Sequence, residues 1–167
     1  MRILGLDPGS VHTGYGCVEL ERGKCRLVDQ GRISCRSGEP LDSRLLRLCG
    51  GIDDVVARFR PAVAVLEEPF HGVNSRSLIV LAQARGALLL ALARCGIAVE
   101  EYTPAEVKSA VTGNGRADKV QVARMVGLLL SVPVDRLSSD AADALAVALC
   151  YAARRPLEVA VGGRRGG

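Results

Sequence analysis

The sequence lacks closely spaced cysteines, and this absence excludes two kinds of site. Its six cysteines stand at positions 17, 25, 35, 49, 95 and 150, scattered through the chain. Zinc ribbons and dithiol redox centres need cysteine pairs a few residues apart. We therefore expect neither site, and we predict reduced thiols in a cytoplasmic protein.

A long uninterrupted apolar run is also missing. The chain opens with "MRILGLD", which reaches an acid too early for the apolar region of a signal peptide, and we expect none. The most apolar stretch, "SLIVLAQARGALLLALARC" at 77–95, contains Gln83 and Arg85 near its middle. We interpret this stretch as a buried core helix rather than a membrane span.

Charge of one sign is only slightly in excess. The net charge is +4, and 19 of the 22 basic residues are arginine. This balance favours nucleic acid as a partner only weakly. With 167 residues and 49% apolar content, the chain is expected to form one globular domain. We predict that this domain covers 1–155, with 156–167 as a disordered Gly/Arg tail.

Hydrophobic patterns predict an α/β fold. Continuous apolar runs at 2–7 and 62–68 indicate strands buried on both faces, and alternation at 14–21 and 25–35 indicates a hairpin. A fifth strand is predicted at 97–102. Helices are predicted at 41–60, 76–95, 103–111, 117–130 and 139–154, with Thr103 as an N-cap. This order predicts a mixed five-stranded sheet flanked by helices.

Acidic residues stand at the ends of two predicted strands and at the start of the last helix. If the strands ending at Asp7 and Glu67 are parallel neighbours, their carboxylates share one crevice. Asp140 and Asp143 are three positions apart and lie on one helix face. The two aspartates alone are equally consistent with an N-cap and an N3 acid. Acids gathered in a crevice bind hard cations such as Mg²⁺.

The loop after the first strand, "DPGSVHTGYG", is rich in glycine. Such a loop can cradle a phosphate, although the GK[ST] ending of a Walker A motif is missing. A glycine turn that leads into a hairpin explains the same residues. Both interpretations stay open at this point.

Five stretches together resemble the RuvC family of bacterial Holliday-junction resolvases. They are "LGLDPGSVHTGYG", "VLEEPF", "QARG", "EVKSAVTGNGRADKVQV" and "DAADALAVA", in this order between about residues 2 and 153. The resemblance implies an RNase H-like fold, a homodimer, four-way junction DNA as substrate, and the RuvA-RuvB branch-migration complex as a partner. It also implies a nuclease of DNA recombination and repair that makes paired cuts and leaves 5′-phosphate and 3′-hydroxyl ends.

The resemblance also assigns the acids. The family's four catalytic acids and metal ligands correspond to Asp7, Glu67, Asp140 and Asp143, with two Mg²⁺ ions per site for which Mn²⁺ substitutes. Glu68 departs from the family, which often has a neutral residue there. Neighbouring side chains of a strand point to opposite faces, so only one of the two glutamates can enter the site, and we expect Glu67.

DNA contacts are predicted from the same resemblance. Phe70 is expected to stack on or wedge between bases at the crossover, although a phenylalanine is more often a core residue. The candidate phosphate contacts are Arg76, Lys108, Arg116 and Lys119, each of which is equally consistent with a solvated surface side chain. Arg116 and Lys119 stand beside the loop "TGNGRADK" and a predicted helix N-terminus. His12 and His71 are expected to be bystanders.

Other functions share some of these features. Sugar kinases and actin-like ATPases also carry DxG…TG, but they need a second domain and a second phosphate loop, and this sequence has neither. A junction-binding module without chemistry and a general RNase H-type nuclease are further alternatives. The apolar helix at 76–95 is a candidate dimer interface, and a core helix would show the same pattern.

Overall fold

Five strands form one sheet. A computed structural model describes residues 1–36, 38–68 and 75–162, with the backbone alone at 75, 76 and 156–162. The strands are β1 (Arg2–Asp7), β2 (His12–Glu21), β3 (Lys24–Ser34), β4 (Val63–Glu67) and β5 (Ala98–Tyr102), and their order across the sheet is β3-β2-β1-β4-β5. The pairs β1–β2 and β2–β3 are antiparallel, whereas β1–β4 and β4–β5 are parallel. The predicted mixed five-stranded sheet is confirmed.

Within the described residues, five α-helices follow the predicted order. They are α1 (Leu41–Phe59), α2 (Ser75–Arg94), α3 (Pro104–Thr112), α4 (Lys119–Leu130) and α5 (Ser139–Gly162). The predicted N-cap of α3 is confirmed, because the Thr103 hydroxyl accepts from the Glu106 N–H while the Glu106 carboxylate accepts from the Thr103 N–H. This reciprocal pair satisfies two donors that the helix itself leaves unpaired.

The last helix is longer than predicted. It was expected to end at 154, and it continues to Gly162. Pro156 does not end the helix, and no glycine interrupts it before Gly162. A glycine inside a helix costs about 1 kcal/mol relative to alanine, so its absence favours continuation of the helix through 156–161. The segment 156–162, which was assigned to the disordered tail, is therefore helical, and 163–167 lie outside the described residues.

Helices cover both faces of the sheet, so the central strands are buried on both sides. Leu4 and Leu6 of β1 pack in one cluster with α1 and α2, while Ile3 packs in a second cluster with α3, α4 and α5. All three side chains have no exposed surface. The continuous apolar pattern of β1 therefore reflects burial of both faces of the strand, as predicted.

Glycines on β1 and β2 let α5 lie directly on the sheet. A Cβ atom on Gly5 would lie 1.9 Å from the carbonyl oxygen of Ala144, and one on Gly14 would lie 2.2 Å from the carbonyl oxygen of Asp140. Real carbon and oxygen atoms do not approach so closely, so only glycine permits this contact. Because Gly14 pairs with Asp7 across the sheet, the start of α5 is held beside the end of β1.

The helix α2 is not a fully buried core helix, which corrects the interpretation made from its sequence. In the part of the chain that the structure describes, the segment Ser77–Arg94 is long and apolar enough to cross a membrane, and 28% of it is buried. A helix of a soluble protein passes the same test. Ala84, Leu88 and Leu92 face the core, while Ile79 and Leu90 are each 60% exposed. The apolar outer face of α2 needs another explanation.

Candidate active site

Asp7 and Glu67 leave neighbouring parallel strands at the same edge of the sheet. The register of β1 and β4 pairs Leu6 with Leu66, so the next residue of each strand is one of the two acids. Both acids line a cavity of about 320 Å³. The crevice that was predicted from the ends of these strands is therefore present.

The two aspartates of α5 are not its capping residues. The Ser138 hydroxyl accepts a hydrogen bond from the Ala141 N–H at 3.3 Å, which makes Ser138 the N-cap. The alternative in which Asp140 is the cap and Asp143 the N3 acid is therefore wrong. Asp143 lines the same cavity as Asp7. Asp140 is not among the lining residues, and its Oδ2 is 3.7 Å from the Nη1 atom of Arg32.

The acids affect one another electrostatically. The pKa of Asp7 is raised from its ordinary 3.8 to about 7, first by burial and then by the charge of Asp143, and Asp140 and Glu67 act in the same direction. Burial, followed by the charge of Asp143, also raises the pKa of Glu67. All four acids thus share one electrostatic environment, and a cation placed among them would relieve their repulsion.

Two lysines supply positive charge to the same cavity. Lys108 on α3 and Lys119 on α4 both line it. The Lys119 ammonium donates a hydrogen bond to Oδ2 of Asp143 at 2.8 Å, and this bond raises the pKa of Lys119. Lys119 lowers the pKa of Asp7, and both lysines lower that of Glu67. The remaining walls are formed by Pro104, Val107, Val122 and Ala146.

The carboxylates suit a hard divalent cation, although they are spread apart as they stand. Within residues 1–36, 38–68 and 75–162, no three Asp, Glu, His or Cys side chains are close enough together to hold a metal ion. A lysine, Lys119, hydrogen-bonds to Asp143 among these acids. The donors that face the cavity are carboxylate oxygens, which are the ligands that Mg²⁺ prefers.

The choice between adjacent glutamates agrees with the geometry. Glu67 is partly buried and lines the cavity, whereas Glu68 is exposed and is not among the lining residues. The backbone N–H of Glu68 donates to the Tyr102 carbonyl, which continues the pairing of β4 with β5.

Other predicted DNA contacts lie outside the cavity or outside the described residues. Arg116 is exposed in the loop between α3 and α4. The N-terminus of α4 is capped by the Asp118 carboxylate, which accepts from the Gln121 N–H, so an acid already occupies the position proposed for a phosphate. Phe70 and His71 lie outside the described residues, as does the side chain of Arg76.

The glycine-rich loop is closed by a buried threonine. Thr13, which has no exposed surface, donates from its hydroxyl to the Gly9 carbonyl and accepts from the Gly9 N–H. Gly14 lies in β2 and faces α5. The structure therefore favours the hairpin interpretation of this loop over a phosphate cradle. His12, an expected bystander, hydrogen-bonds with Ser34.

Two arginines near the acids were not singled out from the sequence. Arg32 on β3 lies beside Asp140, as described above. Arg85 on α2 donates from Nη1 to the backbone carbonyl of Glu67 at 3.0 Å. Arg85 belongs to the "QARG" stretch of the family resemblance, which is the one signal that could have drawn attention to it.

Comparisons with known proteins point to one family. A sequence model of the family described as "Crossover junction endodeoxyribonuclease RuvC" matches residues 3–151. The RuvC of Chloroflexus aurantiacus is 46% identical over 156 residues, which cover 93% of this chain and 95% of that protein.

Two solved structures of Thermus thermophilus RuvC are similar over 94% of this chain and 96% of theirs. One has a TM-score of 0.85 at 35% identity. The other, a complex with a Holliday junction substrate, has a TM-score of 0.88 at 34% identity. The chain belongs to the RuvC family of crossover junction endodeoxyribonucleases.

Proposed function

We propose that this protein cuts four-way DNA junctions as a metal-dependent endonuclease, with Asp7, Glu67, Asp140 and Asp143 as its catalytic acids and metal ligands. The single observation that carries the proposal is the convergence of these acids from three distant segments, three of them in a cavity that also holds two lysines. Family membership supports the same conclusion. The substrate in the similar Thermus complex is a Holliday junction.

The residues fit the metal that the family implies. The raised pKa of Asp7 means that this buried carboxylate ionises at a cost, which a divalent cation would offset. Asp7, Glu67, Asp140 and Asp143 would hold the metal, which would supply an activated water and stabilise the leaving oxygen of a phosphodiester. We propose two Mg²⁺ ions per site, with Mn²⁺ as a substitute, and products with 5′-phosphate and 3′-hydroxyl ends.

The other cavity residues have separate tasks. Lys108 and Lys119 attract the DNA backbone, which the acids alone would repel. Val107 and Val122 form apolar walls, and such low-dielectric walls strengthen the electric field inside a charged cleft. Arg116 and Arg76 remain candidate phosphate contacts. Phe70 remains a predicted stacking residue.

A homodimer is the proposed assembly, because a four-way junction offers two related strands to cut. The apolar outer face of α1 and α2 is the candidate interface: Leu46 is 76% exposed, and Ile79 and Leu90 are each 60% exposed. Ile79 and Leu90 are 11 residues apart, about three helical turns, and therefore share a face. Gly86 lies between them, and a Cβ atom there would contact nothing within 4 Å. A partner that approaches closely would explain this helical glycine.

One partner and the cellular location stay predictions. The RuvA-RuvB branch-migration complex follows from the resemblance alone. A cytoplasmic location follows from the cysteine composition, and none of the six cysteines, all of which lie among the described residues, forms a disulfide.

The decisive experiment incubates the protein with a mobile four-way junction and Mg²⁺. We expect paired nicks in two strands of like polarity, no cutting of a linear duplex of the same sequence, and no cutting in EDTA. Labelled ends distinguish 5′-phosphate from 5′-hydroxyl products. Tight junction binding without cutting in Mg²⁺ or Mn²⁺ would instead identify a binding module.

A further inference from the structure

The last residue of β4 has fewer strand partners than the rest of the strand. The paired register of β4 with β1 stops at Leu66, one residue before Glu67. On its other side, β4 remains paired with β5, where Glu67 stands opposite Tyr102. Glu67, a proposed catalytic residue, is thus paired with a neighbouring strand on one side only.

A side chain from α2, that of Arg85, reaches this residue. The Arg85 guanidinium donates from Nη1 to the Glu67 carbonyl at 3.0 Å, and from Nη2 to the Glu101 carboxylate of β5. The Arg85 side chain is only 11% exposed, while that of Glu101 is 40% exposed. A planar guanidinium with two fixed donors holds both acceptors in one geometry, which a lysine could not do.

We propose that Arg85 is a positioning residue that orients the Glu67 carboxylate by fixing its peptide carbonyl to α2 and β5. The inference rests on the proposed function, because Arg85 acts only through Glu67. The carbonyl and the side chain of Glu67 share one Cα atom, so a fixed peptide plane restricts where the carboxylate points. Displacing a catalytic group by about 1 Å costs up to roughly 100-fold in rate.

The test compares single-turnover cutting of a four-way junction by the full chain and by Arg85→Gln. We expect the rate constant to fall by about 10- to 100-fold, while the junction Kd in EDTA stays within about two-fold. The matched control is Arg94→Gln, because Arg94 is on the same helix but pairs with Asp53 and has an exposed side chain. It should cut at the wild-type rate. A wild-type rate for Arg85→Gln would overturn the proposal.

A second readout does not depend on cutting. Calorimetric titration of DNA-free protein with Mn²⁺ should show weaker binding for Arg85→Gln than for wild type. In a Glu67→Gln background, adding Arg85→Gln should cause no further loss, since the two changes remove one metal ligand in two ways. Additive losses would mean that Arg85 does not act through Glu67.

Two further comparisons separate a folding defect, and a failure of the proposed function, from a failure of the role proposed for Arg85. If Arg85→Gln melts below the assay temperature, Arg85→Lys replaces it, and wild-type Mn²⁺ affinity together with a wild-type rate in that variant would overturn the proposal. If the wild-type protein binds Mn²⁺ but fails to cut junctions, the proposed function fails, while the Mn²⁺ titrations still decide whether Arg85 positions Glu67.

Discussion

The Nζ atom of Lys119 lies 2.8 Å from Oδ2 of Asp143, so a cation from α4 stands among carboxylates from β1, β4 and α5. Its charge lowers the pKa values of Asp7 and Glu67, which burial and Asp143 raise. The protein therefore offsets part of the repulsion among its own acids. The same ammonium lines the cavity, where we propose that it contacts a DNA phosphate.

Removing Lys119 should weaken DNA binding in a salt-dependent manner. For Lys119→Met, we expect lower junction affinity for every sequence, with the slope of log Kd against log salt reduced by about one, because one phosphate contact releases about one counterion. Lys108→Met should behave similarly. Fluorescence anisotropy at several salt concentrations measures the slope.

A suitable control is Lys24→Met, because Lys24 pairs with Glu21 at the far end of the hairpin from Asp7. Its slope should match that of wild type. An unchanged slope for Lys119→Met would mean that this ammonium contacts the acids but no DNA phosphate.

Neutralising any of the four acids should abolish junction cutting. The variants are Asp7→Asn, Glu67→Gln, Asp140→Asn and Asp143→Asn, and each removes a proposed metal ligand while reducing the repulsion of DNA. Junction binding in EDTA should therefore be kept or improved. Cleavage gels and binding titrations of the same preparations measure the two properties.

The control for the acids is Glu68→Gln, since Glu68 is exposed and is not a lining residue of the cavity. It should cut normally. An inactive Glu68→Gln beside an active Glu67→Gln would exchange the roles of the two neighbours.

Asp7 should make the metal-free protein less stable as the pH rises. The pKa of Asp7 is about 7 in the folded protein and near its ordinary 3.8 in the unfolded chain, so the folded state holds the proton more tightly. The free energy of unfolding therefore falls between about pH 4 and pH 7. Asp7→Asn removes the cost of ionising a buried carboxyl. In EDTA, this variant should therefore raise Tm more at pH 8 than at pH 5. Equal increases at both pH values would contradict the assignment.

A methyl group at Gly14 should separate α5 from the sheet. Its Cβ would lie 2.2 Å from the Asp140 carbonyl oxygen, so Gly14→Ala must displace the first turn of α5. We expect a lower Tm and strongly reduced cutting. Gly50→Ala in α1 is the control, because a Cβ there contacts nothing within 4 Å and alanine stabilises a helix by about 1 kcal/mol relative to glycine.

A charge on the outer face of α2 should dissociate the proposed dimer. Leu90→Glu should shift the protein to monomers in sedimentation velocity experiments, because burying an unpaired carboxylate in an interface is costly. Leu128→Glu on α4 is the comparison, since Leu128 is 72% exposed but lies on another helix. Dimers that withstand the charge at Leu90 would exclude this face as the interface.

The strand acids could be predicted because their positions follow from simple rules. A continuous apolar run that ends in an acid marks the exit of a buried strand, and parallel neighbours bring such exits together. Asp7 and Glu67 follow this rule. Asp140 does not, because Ser138, Ser139 and Asp140 are all residue types that cap helices, and only the structure shows that the cap is Ser138.

Two other features do not follow from a pattern in the sequence. Arg85 stands in the "QARG" stretch and interrupts an apolar run, but its contact with a carbonyl 18 residues away depends on tertiary structure. For α2, the sequence is consistent with both a core helix and a dimer interface, because hydrophobicity is the same whether a residue packs within one chain or between two. Burial in the folded protein distinguishes these cases.

The glycine contacts of α5 also determine at which stage of synthesis and folding the four acids come together. A ribosome releases β1 and β4 long before α5, so a nascent chain carries Asp7 and Glu67 without Asp140 and Asp143. The last helix must then settle on Gly5 and Gly14 before all the acids meet. Under the proposed assignment of the four acids, an unfinished or partly unfolded copy has no assembled centre, and competence to cut DNA is acquired together with the completed fold.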